Sequence, residues 1–96
     1  MTEVDLLNAL RDCYDPQLRR NIVDLRLVRS ITLTRDHDSP GATLRPRYIA
    51  TVAITAPTND DTANAQLAAQ IENRLLGLEP ISAAHITVLP PHFPIL

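Results

Sequence analysis

Two stretches of alternating apolar and polar residues constrain the fold of this chain more than any other feature. In residues 29–34, Ile31 and Leu33 alternate with polar neighbours, and residues 47–54 repeat an apolar side chain at every second position. A period of two is typical of a strand with one buried face. The polar cluster at 36–41 predicts a hairpin loop, so we expect two antiparallel neighbours. The inward face of the second strand is expected to carry Tyr48, Ala50, Val52 and Ile54.

Helical patterns flank this hairpin. Thr2 and Asp5 have the spacing of an N-cap and an acidic third position, and they predict a helix over residues 3–13 that ends before Asp15-Pro16. Its apolar arc comprises Leu6, Leu7, Leu10, Cys13 and Tyr14. A polar loop at 55–62 precedes a second helix that ends at Gly77. The apolar face of this second helix comprises Leu67, Ala68, Ile71 and Leu75.

A last strand is expected over residues 84–89, with Ala84, Ile86 and Val88 on one side. The proline-rich tail at 90–96 cannot continue a ladder, because proline lacks the N–H donor. The chain has 96 residues, which is enough for one compact core. We therefore predict a single α+β domain over residues 1–96, with two layers, the order α-β-β-α-β, and helices on one face of a small mixed sheet.

Charge and composition argue against several classes of partner. The net charge is −2, the nine basic residues are all arginines scattered along the chain, and 3% of the residues are aromatic, so nucleic-acid binding is not expected. No apolar run approaches the roughly 20 residues that cross a membrane. Because the chain has a single cysteine and opens without a basic-then-apolar leader, we expect a reducing cytoplasm.

Neither a metal site nor a catalytic site is evident from residue spacing. The histidines at 37, 85 and 92 lack the i, i+4 spacing of a helical metal pair, and we expect His37 and His85 to be solvent-facing. Cys13 is expected to be a buried apolar residue near a helix C-terminus, where the dipole raises a thiol pKa and disfavours a nucleophile. An acid–base enzyme would need Asp15, Asp24 and His92 within hydrogen-bond reach of one another, and we predict no enzymatic activity.

Several motifs occur in a specific order along the chain. DPQL lies at 15–18, NIVDLRLV at 21–28, TAP at 55–57 and PP at 90–91. This arrangement resembles the small iron–sulfur maturation family catalogued as domain of unknown function 59, which includes the PaaD and SufT types. The resemblance extends over nearly the whole chain and implies the same order of helices and strands.

The chain departs from the usual family pattern at three positions. Gln17, Arg26 and Asn59 lie where the family has Glu, Gly and Cys. Arg26 implies either that the backbone there needs no glycine-only conformation or that the bend is made differently. An amide cannot replace a thiolate as a soft ligand, so Asn59 argues against independent metal or cluster binding. Asp15, Asn21, Asp24 and Thr55 match the family one for one, and we expect them near the loop that carries Asn59.

The resemblance implies a non-catalytic accessory or adaptor protein in iron–sulfur cluster assembly or metalloprotein maturation. Assembly factors or apo-protein clients would contact the turn at 15–24 and the loop at 55–61. No resident cofactor is expected, and iron or a cluster would reach this chain only transiently, through a partner. The tail, with Phe93 and Ile95, would dock on a partner, on a second copy in a homodimer, or on its own sheet edge. The alternative is a small ligand-binding or regulatory module, which predicts an apolar pocket between helix and sheet.

Overall fold

The computed structural model of the protein describes residues 1–16, 18–38 and 45–90. In chain order its elements are α1 (Glu3–Leu10), β1 (Tyr14–Asp15), β2 (Arg20–Asn21), β3 (Val28–Arg35), β4 (Tyr48–Thr55), α2 (Asp61–Leu76) and β5 (Ile81–Leu89). The predicted α+β class is confirmed. β1 and β2 are additional to the predicted order, and they pair with each other as a separate two-stranded sheet.

The main sheet has the strand order β3-β4-β5. β3 and β4 are antiparallel, with Ile31 opposite Val52, which confirms the predicted hairpin. β4 and β5 are parallel, with Ala50 beside Ala84, so α2 is the crossover that connects them. The sheet is therefore mixed, and the carboxyl ends of β4 and β5 lie at the same edge, next to the start of α2.

A single apolar core lies between the sheet and the two helices. Its central residues Ala50, Val52 and Ile54 are fully buried and alternate along β4, because side chains of a strand point to opposite faces in turn. The helices contribute Leu6, Ala9, Leu10, Leu67, Ile71 and Leu75 to the same cluster. The opposite face of the sheet carries half-buried apolar residues such as Ile49 and Ala53, and its exposed polar residues include Ser30, Thr32, Thr34, Thr51, His85 and Thr87. The helices therefore cover one face, as the sequence predicted.

The first helix is shorter than the apolar arc suggested. It ends at Leu10, and the next three N–H groups donate to carbonyls three residues earlier, including Cys13 to Leu10 at 3.0 Å. Such bonds tighten the chain into a 3₁₀-type turn. The predicted end at residue 13 is therefore wrong, although Cys13 is fully buried.

The second helix begins and ends near its predicted signals. The Asp60 carboxylate accepts hydrogen bonds from the N–H groups of Thr62 at 3.0 Å and Ala63 at 3.4 Å, which satisfies two free donors of the first turn. Gly77 is the C-cap residue. β5 begins at Ile81, three residues before the predicted start, because the chain turns directly into the strand after Pro80.

His37 and His85 are exposed, as expected. The predictions for Gln17, for His92, and for Phe93 and Ile95 of the tail concern residues outside the described ranges. Within the part of the chain that the structure describes, no helix has the length and apolar character needed to cross a membrane.

Candidate functional site

The hairpin of β1 and β2 is fixed to the second helix by one side chain. The Gln70 amide oxygen accepts from the Tyr14 N–H at 2.9 Å, and its Nε2 donates to the Tyr14 carbonyl at 3.2 Å. The Arg19 N–H donates to the Asp15 carbonyl at 2.8 Å and closes the turn. Asp15 itself is 5% exposed, which makes it the buried polar residue of this region. Its burial in a two-residue strand supports a structural task for Asp15 in holding the hairpin.

Asn21 and Asp24 organise the turn that follows. The Asp24 N–H donates to the Asn21 Oδ1 at 2.8 Å, and the Asn21 Nδ2 donates back to the Asp24 carboxylate at 2.9 Å. Asn21 also accepts a backbone hydrogen bond from Leu25 at 3.1 Å. Side chains of Asn and Asp commonly stabilise turns in this way. The pair therefore shapes the loop between β2 and β3.

The β1–β2 turn and the loop after β2 each carry one residue in the left-handed region. Arg19 has φ of 55° and Arg26 has φ of 58°, and both side chains are exposed. Glycine adopts this conformation most easily, since a Cβ there is crowded by backbone. Of the two expectations for Arg26, the first is not met in its simple form, because the backbone there does adopt the left-handed conformation that glycine favours. Arginine adopts the conformation at this position.

The turn is joined to the end of β4. The Leu27 carbonyl accepts from the Thr55 N–H at 2.7 Å, and the Leu27 N–H donates to the Ile22 carbonyl at 3.0 Å. The Thr55 hydroxyl is buried and makes no hydrogen bond within the part of the chain described. Of the predicted site residues, Asn21, Asp24 and Thr55 thus belong to one hydrogen-bonded region, and Asp15 lies one short strand before it.

Asn59 belongs to a different feature, a cleft of about 440 Å³ at the start of α2. The loop before the helix is fixed because the Asn64 Nδ2 donates to the Thr58 carbonyl at 2.9 Å. The cleft combines apolar and polar walls, and it is lined by Ala56, Thr58, Asn59, Asp61, Asn64, Ala65, Val88, Leu89 and Pro90. The cleft lies where the carboxyl ends of two parallel strands meet a helix, a common location for ligands in α/β units.

Sequence reasoning missed most of this cleft. It named Asn59 and the loop, but it did not anticipate that Asn64 and the 88–90 segment would line the same hollow. The available signal was the strand–helix–strand order of residues 48–89, which implies a parallel crossover. A parallel crossover brings the end of β5 beside the loop before α2.

Cys13 is not part of an accessible reactive site. Burial raises the pKa of its thiol, the Arg74 guanidinium opposes this rise, and the Asp12 carboxylate adds to it. Arg74 and Asp12 form an ion pair with an N–O distance of 2.8 Å. The sequence predicted a raised pKa from the helix dipole, and the principal cause in the structure is burial. A buried, protonated thiol is a poor nucleophile and a poor metal ligand.

The donor set around Asn59 does not suit an iron–sulfur cluster. The polar side chains of the cleft offer hydroxyl, amide and carboxylate oxygens from Thr58, Asn59, Asn64 and Asp61, whereas clusters are held mainly by thiolates. Across residues 1–16, 18–38 and 45–90, no group of three or more His, Cys, Asp or Glu residues has a metal-binding arrangement.

Solved structures with the same fold are known. A domain of unknown function 59 from Bacillus anthracis has a TM-score of 0.68 and 20% identity, and the match covers 91% of this chain and 73% of that one. The resemblance is therefore confirmed at the level of the fold. A Mycobacterium tuberculosis protein associated with iron–sulfur complex assembly and repair has a TM-score of 0.60 and 22% identity, covering 96% of this chain and 69% of that one. No family model matches this sequence, and no curated protein matches it.

Proposed function

We propose that this protein is a non-catalytic adaptor in iron–sulfur cluster assembly or metalloprotein maturation, without a cluster ligand of its own. The observation that carries the proposal is the fold, which over almost the whole chain is that of a protein associated with iron–sulfur complex assembly and repair. The working surface comprises the turn at 15–24 and the loop at 55–61. Its partners are assembly factors or apo-protein clients in the cytoplasm.

The absence of a thiolate at position 59 supports an adaptor over a carrier. Asn59 is exposed at the cleft, and the neighbouring donors are hard oxygens. The chain has one cysteine, Cys13, and its side chain is fully buried. Any iron or cluster handled in the complex is then cargo held by the partner. This protein would contribute the contact surface.

The test is an anaerobic affinity purification from the native host, with mass spectrometry of the bound proteins and iron and sulfide assays. We expect identified assembly factors or apo-forms of iron–sulfur enzymes, together with a bait that lacks stoichiometric iron. Stoichiometric iron on the wild-type bait would contradict the missing-ligand argument. A bait that returns alone would contradict the adaptor role.

A matched pair of variants tests the role of position 59 directly. Asn59→Cys introduces a thiol at the cleft, and Asn73→Cys introduces one at an exposed position of α2. After anaerobic reconstitution with iron and sulfide, we expect Asn59→Cys to retain more iron than wild type and Asn73→Cys to match wild type. Equal retention by both cysteine variants would indicate that the cleft has no special suitability for iron.

A second candidate, the ligand-binding module, is favoured by the cleft itself. Its volume of about 440 Å³ lies within the usual range of small-molecule sites, and it combines apolar walls with convergent polar groups. Native mass spectrometry of the purified protein distinguishes the two candidates. A reproducible bound small molecule, lost in an Ala65→Trp variant that fills the cleft, would favour the module.

A further inference from the structure

The hairpin of β1 and β2, with the loop after it, has a surface that combines exposed arginines with exposed apolar side chains. Five exposed residues of this hairpin and of the loop after it, which we call the basic hairpin, are Tyr14, Leu18, Arg19, Arg20 and Arg26. Tyr14 and Leu18 are among the large apolar residues most open to solvent, at 50% and 57% exposure. The chain as a whole has a net charge of −2, so this group of three arginines is a basic patch on an acidic protein.

The three arginines of the basic hairpin are free to bind something else. Among the described residues, ion pairs connect Arg45 with Glu79 and Arg74 with Asp12, and none involves the basic hairpin. Arg26 is brought back towards the hairpin because the Leu27 N–H donates to the Ile22 carbonyl at 3.0 Å. Arg19 and Arg20 are adjacent in the hairpin, Arg26 lies in the loop after it, and none of the three forms an ion pair among the described residues.

The backbone beneath this surface is fixed before any partner arrives. Gln70 makes two hydrogen bonds to the backbone of Tyr14, and the Ile22 N–H donates to the Cys13 carbonyl at 3.0 Å. A preorganised surface loses less entropy on binding than a flexible one. Arg19 and Arg26 also hold left-handed conformations that suit glycine better. Because the backbone conformation alone would favour glycine, arginine at both positions indicates that the side chains have a function.

We propose that the basic hairpin is the docking surface for an acidic protein segment that carries both carboxylates and an apolar side chain. Guanidinium groups bind carboxylates through paired hydrogen bonds. Tyrosine and arginine are enriched among the hot-spot residues that contribute most of the binding energy in protein interfaces. This inference rests on the adaptor function and names the chemistry of the partner. A nucleic-acid backbone fits less well, because the chain is acidic overall and the cluster has only three cations.

The test uses defined probes and no iron. A short fluorescein-labelled peptide with several glutamates and a pair of leucines is titrated against the protein by anisotropy, beside versions with Gln for Glu and with Ser for Leu. A labelled single-stranded DNA oligonucleotide is the competing probe. Amide chemical shifts in ¹⁵N spectra then locate the bound peptide on the protein.

Charge-matched variants separate this surface from general electrostatics. Arg19→Gln/Arg20→Gln is compared with Arg29→Gln/Arg35→Gln, which removes the same charge from exposed positions of β3. We expect the first pair to weaken peptide binding about threefold to tenfold and the second pair to change it less than about twofold. Arg26→Gly should also weaken binding while leaving the fold intact, an outcome that a purely structural role would not produce.

Tight binding of the glutamate–leucine peptide, with shifts centred on residues 18–26, would support the docking surface. No binding, equal losses in both arginine pairs, or preference for the oligonucleotide would overturn it. Because these measurements need neither iron nor a native partner, they can fail while the purification experiment succeeds, and the reverse also holds.

Discussion

Replacing Arg26 by glycine should stabilise the protein. Arg26 has φ of 58°, and a residue with a Cβ in this region carries roughly 1–2 kcal/mol of strain. Glycine removes that strain but gives the unfolded chain more freedom, which offsets about 0.5–1 kcal/mol. The Arg26 side chain is exposed and forms no hydrogen bond within the described residues, so little else is lost. The net expectation is a gain of about 0.5–1 kcal/mol in the free energy of unfolding.

The gain is measurable by urea denaturation followed by far-UV circular dichroism. The midpoint should rise with the slope unchanged, and the melting temperature should rise by about 2–8 °C for a domain of this size. Arg19→Gly should behave in the same way, because Arg19 shares the left-handed conformation.

The control is Arg35→Gly, an exposed arginine of β3 that pairs with Tyr48 in the regular part of the ladder. Glycine there should destabilise by about 0.5–1 kcal/mol, since it gains freedom in the unfolded state and relieves no strain. If Arg26→Gly and Arg35→Gly lower the stability by the same amount, the argument from backbone strain is refuted.

Three further predictions concern other contacts of the site. Asn21→Ala removes both side-chain hydrogen bonds of its turn and should lower the free energy of unfolding by about 1–2 kcal/mol in urea titrations, whereas Asn73→Ala on the exposed face of α2 should change it little. Gln70→Ala should speed hydrogen exchange of the Tyr14 amide relative to Gln66→Ala, since Gln70 alone bonds that backbone; unchanged exchange would show that the hairpin is held by other contacts. The pKa of Cys13 is raised by burial, so the folded state keeps its proton longer than the unfolded state. The stability that the protonated Cys13 thiol contributes to the folded protein should therefore be fully present below the ordinary thiol pKa of about 8.5 and be lost as the pH rises above it. The free energy of unfolding of a Cys13→Ala variant should not show this decline at alkaline pH.

The main sheet was predictable because its strands are long and one face is buried. Val52 and its neighbours alternate for a full strand, and the period leaves little choice of orientation. β1 and β2 were not predictable in this way, since two residues cannot display a period. The early end of α1 could not be predicted for a similar reason. Cys13 fits the apolar face of a continued helix, and it is equally buried when the chain forms a 3₁₀ turn, so the sequence pattern does not distinguish the two.

Features that depend on tertiary contacts were harder to anticipate. The conformation of Arg26 is imposed by the hydrogen bonds around it, and its residue type argued for a different backbone. The cleft depends on the parallel alignment of β4 with β5. This alignment places Asn64 and Val88 on the wall of the same cleft, although they are 24 residues apart in the sequence. Neither property can be read from a local pattern.

The position of Asn59 has a consequence for how such domains change over evolution. Its side chain is exposed and makes no hydrogen bond among the described residues, while Asp60 holds the start of α2 and the Ala56 N–H donates to the Leu89 carbonyl at 2.8 Å. The two ends of the loop are therefore anchored independently of residue 59. We expect substitutions at position 59 to be nearly neutral for folding, so the chemistry of the loop can change while the scaffold stays the same.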